Sequence, residues 1–177
     1  MKITTKLLQS LNACQEGIDL VAIYEDKEAE AVICRLAKDD HWDWANWLLP
    51  RLMNYKGYVS YAVFAAELVL PIWEKKHPDE QRPRQAIAAA KRCIDDPSET
   101  NKKAAELAAG GVWVVEAATE AWAAEAARES AANLAAVWAA KAAEWAAEAA
   151  EAAAGANLNI KPKIIEKGLE LLKKYAA

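Results

Sequence analysis

The chain has 177 residues, a formal net charge of −4 and a hydrophobic fraction of 54% that alanine inflates. That length fits one domain able to bury a core without metals or disulfides, and the acidic balance argues against the basic face that a long nucleic acid requires. Cys14, Cys34 and Cys93, odd in number and widely separated, argue against a disulfide or zinc framework and fit a reducing compartment.

No run of alternating β-branched residues bounded by turns occurs, so every element is predicted helical. Thr4 or Thr5 can cap a short first helix reaching about Asn12, and a second is expected over Gln15 to Tyr24. A third runs from an Asp26 cap to Lys38, with Ala29, Val32, Ile33 and Leu36 recurring at three- and four-residue steps to form one apolar face. Asp40 is expected to cap a fourth helix, His41 to Met53, in which Trp44, Trp47, Leu48, Arg51 and Leu52 share a face and Pro50 introduces a kink or break. Asn54-Tyr55-Lys56-Gly57 reads as a turn before a long apolar helix, Tyr58 to Lys76, interrupted at Pro71. Its apolar part, Ala62 to Trp73, is too short to span a bilayer and contains Glu67.

Pro83 is well placed to open the next helix, which should reach Ile94 before Asp95-Asp96-Pro97 breaks it. From about 104 to 156 roughly half the residues are alanine, the strongest helix former. A single helix from Ser98 to Ala154 would run about 84 Å, so Gly110-Gly111 and, more weakly, Glu129 to Asn133 are the expected breaks between antiparallel Ala-rich hairpins. Trp138 and Trp145 fall at seam spacing there. Gly155-Ala156-Asn157 ends the stretch, and Pro162 to Tyr175 forms a last amphipathic helix through Ile164, Ile165, Leu169 and Leu172. The expected architecture is all-α: a bundle of about eight helices, with an N-terminal region over 1–97 and an Ala/Trp-rich region over 98–177 packed into one compact domain. The N-terminus carries no apolar leader behind Met1-Lys2-Ile3, which gives a soluble, cytoplasmic expectation.

The stretch Asp40-His41-Trp42-Asp43-Trp44-Ala45-Asn46-Trp47-Leu48-Leu49 resembles a segment of the Ala-rich immunity proteins common in phage and bacterial genomes. Tyr61-Ala62-Val63-Phe64-Ala65-Ala66-Glu67 and Arg82-Pro83-Arg84-Gln85-Ala86-Ile87 share that resemblance. It covers about the first hundred residues and implies a binding role in conflict between phage or toxin and host, with no reaction attached.

Two clusters carry candidate binding chemistry. Gln81-Arg82-Pro83-Arg84 opens a helix, where free N–H groups, the dipole and two guanidinium forks suit a phosphate or carboxylate; the alternative is that the arginines pair with acids such as Glu67 or Asp79 and pin the loop. His41, Trp44, Asn46, Trp47 and Arg51, with Trp42 beside them, suit a nucleotide-like molecule, since rings stack on a base, Asn reads its edge and Arg reaches phosphate. The alternative role of Trp44 and Trp47 is core packing. Glu74-Lys75-Lys76-His77 matches half of a di-iron motif, but no second copy exists, so no metal and no cofactor is expected. The expectation is therefore a non-enzymatic binder that sequesters a small anionic nucleotide-type signal through Arg82, Arg84, Arg51, Trp44, Trp47, His41 and Asn46. The alternatives are an immunity protein that neutralises a protein toxin and a helical metalloenzyme. Alanine-rich surfaces also predict a homo-oligomer.

Overall fold

The computed structural model describes residues 1–24, 27–112 and 160–177. Eight helices are found among them: α1 (Thr5–Ser10), α2 (Gln15–Ala22), α3 (Ala29–Lys38), α4 (Trp42–Arg51), α5 (Tyr55–Lys76), α6 (Arg82–Asp95), α7 (Glu99–Val112) and α8 (Lys161–Tyr175). The described residues hold no strand beyond two isolated bridges, Lys2 with Glu28 and Met53 with Ala176. The all-α helical-bundle expectation is met. The predicted Ala-rich hairpins, the Glu129 to Asn133 break, the Trp138/Trp145 seam and the Gly155 terminator lie outside the described residues. The start expected for α3 is corrected: it opens at Ala29 with Glu28, not Asp26, in the N-cap position, the Glu28 carbonyl accepting from Val32 N at 2.9 Å.

Local chemistry explains several of the helix ends. Thr4 caps α1, its hydroxyl accepting from Leu7 N at 3.1 Å. Asn12 (φ 59°) and Asp40 (φ 64°) adopt the left-handed conformation just after α1 and α3. The next residue then turns back on the helix: Ala13 N donates to Leu8 O at 3.0 Å and His41 N to Leu36 O at 2.8 Å. This corrects the role expected of Asp40. It ends α3, because Asp tolerates positive φ, and His41 takes the N-cap position of α4.

Further corrections concern α4, α5 and α7. Helix α4 ends at Arg51, one residue after Pro50 and short of the expected Met53. Asn54-Tyr55-Lys56-Gly57 is the capped first turn of α5, since Asn54 Oδ1 accepts from Gly57 N at 3.2 Å. Helix α5 continues through Pro71 to Lys76. Pro71 and Glu67, four residues before it, are both exposed, so the carbonyl left without its N–H partner can be hydrated. Helical backbone also continues through Gly110-Gly111 to Val112, the last described residue before 160. Asp96 and Pro97 separate α6 from α7 as expected, with Ser98 Oγ accepting from Asn101 N.

Helix α5 is the central element, packed against α6 and α8, while α8 also reaches α3 and α4. The predicted α3 face is buried in full: Ala29, Val32, Ile33 and Leu36. Two glycines set how closely helices approach. A Cβ at Gly168 would lie 2.6 Å from Leu49 Cδ1 and 2.9 Å from Tyr61 Cε2, and one at Gly57 would lie 2.8 Å from both Met53 Cβ and Tyr175 Cβ. Neither position has room for a side chain. No helix among the described residues is long and apolar enough to cross a membrane.

Candidate functional site

The buried face of α4 is rotated from the expected one. Ala45, Asn46, Leu48 and Leu49 point into the core, leaving Trp44, Trp47 and Arg51 half-buried at its border. Asn46 is fully buried, and its Oδ1 accepts from Tyr61 Oη at 2.8 Å. Burial also raises the Tyr61 hydroxyl pKa well above its ordinary value, so the phenol remains a donor. The Asn46 side chain thus satisfies a core tyrosine and takes no part in the cavity described below.

Trp44 and Trp47 line a cavity of about 360 Å³ between α1, α2, α3 and α4, within the size range of small-molecule pockets. Leu8, Val21, Leu36 and Leu48 supply its apolar wall, and Asn12, Cys14 and Asp43 its polar groups. Both indoles are held by neighbours named from the sequence. The His41 ring stacks on Trp44 with centroids 4.6 Å apart and 8° between planes. The Arg51 guanidinium lies 4.1 Å from the Trp47 centroid and donates to the Trp47 carbonyl at 2.7 Å. Gly17 of α2 also lines the wall, where a Cβ would make ordinary contacts with Cys14 Sγ at 3.4 Å and Trp44 Cε3 at 3.9 Å.

The arginine pair at α6 is elsewhere and is engaged. Glu80 Oε1 accepts from Arg82 N at 3.0 Å and Arg82 Nε at 2.7 Å, and Glu80 Oε2 accepts from Arg82 Nη2. These hydrogen bonds hold the Glu80 carboxyl well below its usual range, at about 2. Glu80 therefore occupies the anion position at the start of α6 that an external phosphate was expected to take. Arg84 makes a second bidentate pair with Glu74, with both contacts at 2.6 Å, and Lys91 pairs with Glu67 at 2.6 Å. The partners are Glu80 and Glu74, where the sequence suggested Glu67 or Asp79.

The two clusters do not converge. Asn46 anchors the α4 group to Tyr61, whereas Arg84 is bound to Glu74, about 20 Å further along α5 at 1.5 Å per residue. His41, Trp44, Trp47 and Arg51 are brought together; Arg82 and Arg84 are not brought to them. In the Glu74/His77 motif the carboxylate is bound to Arg84 and the imidazole stacks on Trp73 at 4.1 Å. No group of three or more metal-ligating side chains forms among the described residues.

Asn12, Cys14, Gly17 and Asp43 were missed as site residues. They belong to the cavity because α2 folds against α4, and no spacing within either helix announces that contact. Gly17, a glycine inside a helix, is no marker of it either, because a Cβ there would make only ordinary contacts. No family model, curated protein or solved structure matches the chain.

Proposed function

We propose that the protein is a non-enzymatic binder that sequesters a small ring-bearing molecule of the nucleotide class in the cavity between α1 and α4. The observation that carries this reading is the cavity of about 360 Å³ with two indoles in its wall, each fixed by a neighbour, His41 for Trp44 and Arg51 for Trp47. Side chains held in place before binding lose little freedom on binding, and aromatic surface is suited to a flat ring.

The cavity changes the expected recognition of the ligand's charge. Among the described residues its lining contains no Lys, Arg or His, and the Arg82 and Arg84 forks are bound to Glu80 and Glu74. Recognition therefore falls on the ring, with any phosphate directed out of the cavity past the border where Arg51 lies. The resemblance of residues 40–49, 61–67 and 82–87 to Ala-rich immunity proteins supplies the setting, conflict between phage and bacterium. The free thiols of Cys14, Cys34 and Cys93 support a reducing, cytoplasmic location, and the alanine-rich composition of 104–156 supports self-association.

Calorimetry with a panel of mononucleotides, cyclic nucleotides and ADP-ribose-type nucleotides tests the proposal. At least one member should bind at about tens of micromolar or tighter, and Trp47→Leu, which keeps an apolar side chain and removes the indole, should weaken it. Absence of heat from every member contradicts the proposal. It would favour the second reading, masking of a basic toxin, which draws on the net charge of −4.

A further inference from the structure

The polar groups of the cavity are one-sided. Among the described residues of the lining, Asp43, in the first turn of α4, is the one carboxylate, and no basic side chain accompanies it. Among the described residues none forms an ion pair or hydrogen bond with the Asp43 carboxylate. A carboxylate only accepts hydrogen bonds, through two oxygens set side by side. It repels a phosphate and pairs best with two donors on one edge, as in the bidentate pairs that Glu74 and Glu80 make with arginine forks.

We infer that the cavity selects guanine-type rings, which present two adjacent N–H donors to Asp43 while stacking on the Trp47 indole. Guanine offers its ring N1–H and its exocyclic amine on one edge. Adenine offers one amine beside a ring nitrogen lone pair, which would face a carboxylate oxygen unfavourably. Hypoxanthine keeps the ring N–H and lacks the amine. The inference rests on the binding role proposed above and names the base that the site takes. Asn12 contributes an amide that can serve either a donor or an acceptor of the ligand.

The test is calorimetry of the full chain with guanosine, inosine and adenosine, repeated on Asp43→Asn and Trp47→Leu. Asp43 is exposed, so its replacement leaves the core intact. Guanosine should bind most tightly and inosine about tenfold or more weakly, as expected for one lost hydrogen bond to a charged acceptor. Adenosine should be weaker still, and Asp43→Asn should remove most of the guanosine preference. Equal affinity for the three nucleosides, or guanosine binding unchanged in Asp43→Asn, overturns the inference. If that indiscriminate binding is lost in Trp47→Leu, the cavity proposal stands without it. Silence from all three nucleosides while a phosphate-bearing nucleotide binds overturns the inference alone, and silence from nucleosides and nucleotides together overturns both.

Discussion

Replacing Gly168 by alanine sets two effects of known sign against each other. Gly168 lies inside α8, where alanine is intrinsically favoured by about 1 kcal/mol. The added methyl would stand 2.6 Å from Leu49 Cδ1 on α4 and 2.9 Å from Tyr61 Cε2 on α5. Both neighbours are fully buried, and the Tyr61 ring is tethered through its hydroxyl to Asn46 at 2.8 Å. Neither has an easy retreat, so α8 must shift from both helices or the rings and methyls must leave their preferred rotamers. Overpacking of this kind costs about 1–3 kcal/mol, leaving a net loss of about 1 kcal/mol and a fall in Tm of about 2–4 °C for a chain of this size. Urea and thermal denaturation followed by circular dichroism measure it. The penalty should shrink in a Leu49→Ala background, where one of the two obstructions is gone. Gly168→Ala that raises Tm in the otherwise unchanged protein would refute the close-packing argument.

Tyr61→Phe removes the donor to buried Asn46 Oδ1 and should lower stability by about 1–2 kcal/mol in urea unfolding; an unchanged midpoint contradicts the buried pair. The carboxyl of Glu80 titrates lower when folded than when unfolded, because Arg82 hydrogen-bonds it. Its contribution is therefore present above the ordinary carboxylate pKa and lost as pH falls from 4.5 towards about 2. The contribution is small at so accessible a site; comparing urea midpoints at pH 6 and pH 3, Glu80→Gln should lose less than the unchanged protein. Buried Cys93, whose thiol burial pushes to higher pKa, should resist alkylation until the chain unfolds, whereas exposed Cys14 should react in the native state. Equal native rates for Cys14 and Cys93 would contradict the packing of α6 against α5.

The parts of the fold legible in the sequence are those decided within one helix. The period of Ala29, Val32, Ile33 and Leu36 gave a face that is buried throughout, and Thr4, Pro83 and Asp96-Pro97 mark helix boundaries by local chemistry. Positions decided by a neighbouring element were harder to read. Asn46 looked like a residue that could read a base, and only the arrival of Tyr61 from α5 makes it a core acceptor. Pro71 looked like a break, yet α5 continues because both Pro71 and Glu67 are exposed. The Trp44 and Trp47 rings were legible as a cluster, and His41 and Arg51 do accompany them. Arg82 and Arg84 carried a real signal of anion recognition, but the anions belong to the same chain, Glu80 at the helix start and Glu74 at the end of α5. Nothing in the local pattern singles out Asp43, since its position beside the cavity depends on where α1 and α2 lie.

Cys14 lines the Trp44/Trp47 cavity, whereas Cys34 is exposed on α3 and lines a separate groove with Trp42 and Lys161. The most direct measurement is the rate of alkylation of each thiol, followed by peptide mass spectrometry, with and without saturating guanosine monophosphate. Occupancy of the cavity should slow Cys14 several-fold and leave Cys34 unchanged. Binding seen by calorimetry with Cys14 reacting at its original rate would place the ligand elsewhere and contradict the account.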